Sequence, residues 1–191
     1  MLLVLGVYVR SRPALKPLPE ITRVGEFALT NQFGFSVQHP DLAGNVVIAD
    51  VIFTRCPGQC HQLSQSMRRI QQGVPRGSPV RFVSLTADPL NDTPDVLRKY
   101  ADRYGADGAT WNFLTGPKAD VYRLAIEGMK FSVLEKPGAN PANLEEQFIH
   151  SSSFAIIDRR GVLRAMIQLE DPNHERRILE VVGELAKESW K

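Results

Sequence analysis

Only two cysteines occur in the chain, four positions apart in Thr54-Arg55-Cys56-Pro57-Gly58-Gln59-Cys60-His61. Two thiols at that spacing can close a disulfide or bind a soft metal ion. The segment before them, Asn45-Val46-Val47-Ile48-Ala49-Asp50-Val51-Ile52-Phe53, is apolar and β-branched and reads as a buried parallel strand. The segment from Gln59 to Ile70 places Leu63, Met67 and Ile70 on one stripe of a helix. The dithiol therefore sits at a strand-to-helix junction, Cys56 on the loop and Cys60 in the first helical turn. There the unsatisfied N–H groups and the positive end of the helix dipole are expected to favour a thiolate. Cysteines can also be inert small apolar residues or form a structural disulfide, but Pro57 and Gly58 shape a tight turn between these two. A four-ligand zinc site is disfavoured, since there are no further cysteines and the only histidines are His39, His61, His150 and His174.

At 191 residues and 43% hydrophobic content, the chain is long enough for one domain with a substantial core. Its charge is balanced, 23 basic against 21 acidic residues, with no basic stripe that would suggest nucleic acid. Residues Met1 to Val9 are apolar and are followed by a basic, proline-broken stretch, Arg10 to Pro19. Nine residues cannot span a bilayer, which takes about 20, and a signal peptide's basic start and cleavage site are missing. Residues 1–24 are read as the downstream part of a membrane anchor and its tether, in preference to a short ordered strand, and residues 25–191 as the folded domain.

Along that domain, Glu26–Thr30 and Phe33–Val37 bracket Asn31-Gln32 as an N-terminal β-hairpin. Strands and helices then alternate: a strand over Val80–Thr86, a helix from about Thr93 to Tyr104, a strand over Thr110–Leu114 and a helix from Lys118 to Glu127. A strand over Lys130–Leu134 is followed by a polar loop from Glu135 to about Glu146. The paired strands Ser153–Asp158 and Val162–Gln168 flank a turn at Asp158-Arg159-Arg160-Gly161, and a last helix runs from about Asn173 to Glu188. This order implies a three-layer α/β sandwich with a partly parallel sheet. Trp111 and Phe113 are expected in the core, Arg159 and Arg160 at a solvated hairpin tip, and Asp92-Thr93-Pro94-Asp95 as a helix cap.

A dithiol at the first strand-to-helix turn of a small α/β domain is a thioredoxin-like arrangement, although thioredoxin-like oxidoreductases separate the cysteines by two residues and this chain by three. Two further segments add to it: Thr86-Ala87-Asp88-Pro89-Leu90-Asn91-Asp92-Thr93 and Phe148-Ile149-His150-Ser151-Ser152-Ser153-Phe154. With them, about residues 25 to 188 closely resemble the Sco/SenC family. The resemblance implies a membrane-tethered, thioredoxin-fold metallochaperone of the bacterial periplasm or mitochondrial intermembrane space. Such proteins bind copper and help assemble the binuclear copper site of cytochrome c oxidase. Its partners would be the copper-site subunit of the oxidase and another copper donor protein. The family's metal ligands map onto Cys56, Cys60 and His150.

Two thiolates and one imidazole form a soft, low-coordinate set suited to Cu(I), with the imidazole making Cu(II) tolerable. His61 stands where many relatives have proline, and its helical position is expected to direct it away from Cys56. Asp88 lies at the end of a strand, where α/β sheets place functional groups. It reads equally as a turn aspartate before Pro89 and as a residue that supports metal handling from behind the ligands or docks a partner. An enzyme-class alternative uses Cys56 and Cys60 as the redox dithiol of a thiol–disulfide oxidoreductase that keeps partner cysteines reduced. A peroxidase is disfavoured, because the order of Thr54, Arg55 and the second thiol does not suit a peroxidatic cysteine.

Overall fold

The computed structural model describes residues 18–135, 148–150 and 152–189. The apolar segment 1–9, most of the basic stretch after it, and the loop 136–146 lie outside the described residues. Ten strands are described: β1 (Thr22–Arg23), β2 (Ala28–Asn31), β3 (Ser36–Gln38), β4 (Val46–Ile52) and β5 (Val80–Thr86), then β6 (Trp111–Thr115), β7 (Val133–Glu135), β8 (Phe148–His150), β9 (Ser153–Ile157) and β10 (Val162–Gln168). Eight of them form one sheet in the order β1-β10-β9-β4-β5-β6-β2-β3, while β7 and β8 pair separately. β4, β5 and β6 are mutually parallel, and β9 runs antiparallel to β4. Every residue of β4 is buried, as the unbroken apolar run demands of a strand covered on both faces.

The helices are α1 (His39–Leu42), α2 (Gln59–Gly73), α3 (Pro94–Tyr104), α4 (Lys118–Arg123) and α5 (His174–Leu185). α2 buries Leu63, Met67 and Ile70, the stripe expected from their spacing, and α5 buries Ile178, Val182 and Leu185. Beneath α3 the core is aromatic. The Trp111 and Phe113 rings stack at 4.9 Å, Tyr100 meets Phe113 edge-on at 6.0 Å, and Trp111 Nε1 donates to Ser84 Oγ at 3.0 Å.

Several boundaries differ from expectation for identifiable reasons. The N-terminal hairpin has a longer turn, because Asn31 Oδ1 accepts the N–H groups of both Phe33 and Phe35 at 3.0 Å and ends the ladder there. The expected helix over Lys118–Glu127 is α-helical only to Arg123. It widens into a π-helical turn over Leu124–Gly128, which lets Leu124, Ala125 and Gly128 all be buried. Lys130 then takes a φ of 60°, so extended backbone starts at Val133 and not at Lys130. Residues Leu18 to Val24, read as tether, run along β10: β1 pairs with it, and the Leu18 and Pro19 carbonyls accept bonds from Arg164.

The β9–β10 turn is solvated at Arg160, as expected, and is also pinned. Arg159 Nε donates to the Gly44 carbonyl at 2.9 Å, and Arg160 donates to Glu20 at 2.5 Å. Asp158 organises the turn, accepting from the Arg160 and Val162 N–H groups at 2.9 and 3.0 Å and from the Arg164 guanidinium at 2.9 Å. Burial alone would raise its carboxyl, but the Val162 amide and the Arg164 and Arg160 guanidinia outweigh burial and hold it below the ordinary value. A depressed folded pKa means stability that is present above the unfolded value of about 3.9 and is lost as pH falls through the folded value. Asp158→Asn should therefore cost about 3 kcal/mol at pH 7. In urea unfolding the gap to wild type should narrow as pH is taken below about 4; an equal gap at pH 7 and pH 3 would refute this role.

Candidate metal centre

β4 delivers its chain to the turn that holds the thiols. The Cys56 N–H donates back to the Phe53 carbonyl at 3.2 Å, and α2 begins after Gly58 without a side-chain cap. Both cysteines are thiols, not joined in a disulfide. Cys56 is half-buried, whereas Cys60, one residue into α2, is 1% exposed. The Cys60 sulfur accepts the Phe53 N–H at 3.4 Å and is hydrogen-bonded to the Cys56 side chain, so the two sulfurs face each other across the turn. Burial pushes the Cys60 thiol far above its ordinary range. The neighbouring Cys56 and, more weakly, the fully buried Asp50 push it the same way, and the Phe53 amide opposes them only in part. The expectation that the helix start favours a thiolate is corrected at Cys60, where desolvation outweighs the dipole.

The turn is fastened to the loop that follows β5. Asp92 is fully buried and accepts three bonds: from Thr54 N at 3.1 Å, from Thr54 Oγ1 at 2.5 Å and from Thr86 Oγ1 at 2.5 Å. Burial raises its carboxyl, against the pull of those threonine donors. Asp88, 4% exposed, accepts from the Arg55 guanidinium at 2.7 Å and from the Asn91 amide at 2.9 Å. Two successive residues before Cys56 are thus each held by a carboxylate from the neighbouring strand's loop. Leu90, at the crest of that loop, is 80% exposed.

Of the residues singled out from sequence, Cys56 and Cys60 come together. Asp88 is joined to the turn through Arg55. The His61 ring nitrogens contact Tyr104 Oη at 2.8 Å and Gln65 Nε2 at 2.8 Å, so the imidazole lies along α2 and α3. The His150 backbone is the last residue of β8, paired with Val133, and β9 begins three residues later. Its side chain lies outside the described residues. Among the described residues, no group of three His, Cys, Asp or Glu side chains converges on one point. Sequence reasoning passed over Asp50, although a lone carboxylate inside an apolar run is a visible signal. Of the expected cap, Thr93 accepts from Val96 N at 3.4 Å with Pro94 and Asp95 in the first turn, whereas Asp92 belongs to the thiol turn instead.

The asymmetry of the two thiols predicts their reactivity. At pH 7 iodoacetamide should alkylate Cys56 at least about tenfold faster than Cys60, because only a thiolate that can be reached attacks. Asp92→Ala, which frees Thr54, should destabilise the fold by about 2 kcal/mol and speed modification of Cys60. Peptide mapping by mass spectrometry reads both, and equal rates at the two cysteines in the wild-type chain would contradict the asymmetry.

Known proteins share this architecture. The family model described as SCO1/SenC matches residues 17–187. The SCO1 protein homolog of Bacillus subtilis (strain 168) is 34% identical over 140 residues, covering 72% of this chain and 69% of that protein. Among solved structures, a SCO1/SenC family lipoprotein from Bacillus anthracis str. Ames superposes with a TM-score of 0.80 at 27% identity, covering 91% of this chain and 100% of that one. BsSco, described as a member of the Sco family of cytochrome c oxidase assembly proteins in which a disulfide switch was identified, superposes with a TM-score of 0.74 at 29% identity, covering 87% and 95%. With a match across nearly the whole described fold and a dithiol just past the end of its central strand, the chain belongs to the SCO1/SenC family.

Proposed function

We propose that the chain is a copper-binding metallochaperone of cytochrome c oxidase assembly, with Cys56 and Cys60 as the sulfur ligands and copper as cargo. The observation that carries this reading is the pair of thiols in hydrogen-bond contact at a turn whose residues 57–59 are exposed. A soft two-sulfur set favours Cu(I), and the proton that burial holds on Cys60 is displaced when metal binds. His150 supplies the third ligand from the end of β8, and Asp88 acts on the turn through Arg55. With few ligands and Cys56 half-exposed, the metal can leave by ligand exchange to the copper-site subunit of the oxidase, and arrive in the same way from another copper donor protein. BsSco's description as an oxidase assembly protein supports the partner class. The apolar segment 1–9 is read as anchoring the domain to a membrane on its periplasmic or intermembrane-space side, in keeping with a relative described as a lipoprotein.

A second reading is favoured by the unequal burial of the thiols and by the disulfide switch named for BsSco. Cys56, the more accessible of the two, attacks a partner disulfide as its thiolate, Cys60 displaces the partner thiol, and the chain is left oxidised as the partner gains two electrons and two protons. Copper binding and this exchange use the same reduced dithiol, so they compete.

Anaerobic titration of the reduced chain should show one Cu(I) bound, and Cys56→Ser or Cys60→Ser should abolish tight binding; full-strength binding by the double serine variant would end the reading. His150→Ala should weaken Cu(II) binding at least tenfold, about 1.4 kcal/mol, and alter its visible spectrum while Cu(I) binding persists. His61→Ala should leave the spectrum unchanged, and the reverse pattern would exchange the two histidines' roles. Rapid catalytic reduction of insulin without copper transfer to the oxidase subunit would favour the reductase over the chaperone.

A further inference from the structure

The thiol turn offers a partner little surface. Pro57, Gly58 and Gln59 are exposed, and Cys56 beside them is half-buried. A protein that takes metal from Cys56 must bring its own ligand to bonding distance of that metal, so its surface covers the turn. Even small specific contacts between proteins bury on the order of 500 Å² on each side, more than three residues of a turn provide. The footprint therefore spreads onto whatever stands beside the turn.

What stands there is the loop from β5 to α3. The Arg55 guanidinium meets Asp88 at 2.7 Å and the Thr54 N–H meets Asp92 at 3.1 Å, so loop and turn form one body. Leu90 lies between those two aspartates and is 80% exposed, the most exposed large apolar side chain among the described residues. The others lie elsewhere: Ile21 next to β1, Phe33 and Phe35 in the β2–β3 turn, and Ile126 in the π-helical turn. The loop around Leu90 is stiff. The Asp88 N–H donates to Thr86 Oγ1 at 2.9 Å, and the Asp88 carbonyl accepts the Asn91 and Asp92 amides at 3.1 and 2.9 Å. The Asp88 carboxylate accepts from the Asn91 side chain at 2.9 Å, and Tyr122 Oη donates to the Ala87 carbonyl at 2.8 Å. A single exposed leucine is ordinary on a protein surface. One fixed on a bonded loop that is itself tied to the thiol turn is preorganised, so covering it orders little additional chain. The charges of the crest cancel, because Arg55 is paired with Asp88, and no excess of one sign selects an oppositely charged surface.

We propose that the β5–α3 loop, with Leu90 as its apolar anchor, is the docking surface for the copper-site subunit of the oxidase, which meets it with an uncharged, apolar hollow beside its own metal ligands. The inference rests on the chaperone reading and specifies where the partner of that reading sits. Leu90 is not a ligand, so docking on it is separable from copper binding at Cys56 and Cys60.

The full chain loaded with one Cu(I) is mixed with the reduced copper-site domain of the oxidase subunit and, in parallel, with bathocuproine, a chelator too small to need a docking surface. Leu90→Ser and Leu90→Lys should slow transfer to the subunit roughly ten- to a hundredfold below saturation, while Leu90→Met stays within about threefold of wild type. Cu(I) affinity and transfer to the chelator should be unchanged in all three, which separates lost docking from a damaged site. Raising NaCl from about 50 to about 500 mM should change wild-type transfer less than about threefold. Wild-type rates in Leu90→Lys, or a steep fall with salt, would overturn the docking surface and leave the copper reading standing. A wild-type chain that binds copper and yields it to the chelator but never to the subunit would overturn the partner reading and this surface with it. A wild-type dimer in sedimentation that Leu90→Lys splits would overturn it as well, assigning the crest to a second copy of the chain.

Discussion

The complete burial of β4 is the constraint on which the rest of the molecule depends. A strand with no exposed residue needs neighbours on both edges and cover on both faces, and β5, β9 and the flanking helices exist in positions that supply them. The same burial leaves the chain nowhere to turn but at the strand's end, so the thiol turn emerges at a point fixed by the whole sheet. α2 is anchored from below through Leu63, Met67 and Ile70, which holds Cys60 against the Phe53 amide.

Burial also sets the electrostatics. Cys60, Asp92 and Asp50 are all taken from water, and each is then defined by the few groups that reach it. For Cys60 the outcome is a retained proton, since one amide does not repay the loss of solvent. For Asp92 three donors from Thr54 and Thr86 make a buried carboxyl tolerable and turn it into a fastener between two loops. Arg55, tied to Asp88, adds a second fastening on the solvent side. The two cysteines therefore end with different accessibility, and burial holds the proton on Cys60.

What could be read from the sequence was what depends on local pattern. The apolar run to Phe53, the run Val80–Thr86 and the stripe of α2 announced the elements that carry the dithiol, and Trp111 and Phe113 were legible as core. Partnerships between residues distant in the chain were not. Asp92 looks like a capping residue because it precedes Thr93 and Pro94, and nothing local says that its carboxylate reaches Thr54. The π-helical turn before Met129 arises from which side chains the sheet can bury, not from the period of its own sequence. Nor can a helix-start argument for thiolate character see how deeply a particular sulfur is sunk. The copper reading itself came from likeness to a family, carried by the cysteine spacing and the segments around Asp88 and His150.

The pairing of β4 with β9 has a consequence for the order of events during synthesis. Val47 and Ile157 are neighbours in the sheet but are made far apart in time, since the ribosome works from the N-terminus. Until β9 exists, one edge of β4 has no partner and the platform beneath Cys60 is incomplete, so the closing of that long loop is paid late. Both thiols are consequently open to solvent until β9 is made, and the shelter that Cys60 enjoys in the finished fold is acquired only near the end. An unfolded chain presents two equally accessible cysteines; the folded protein presents Cys56 and hides Cys60.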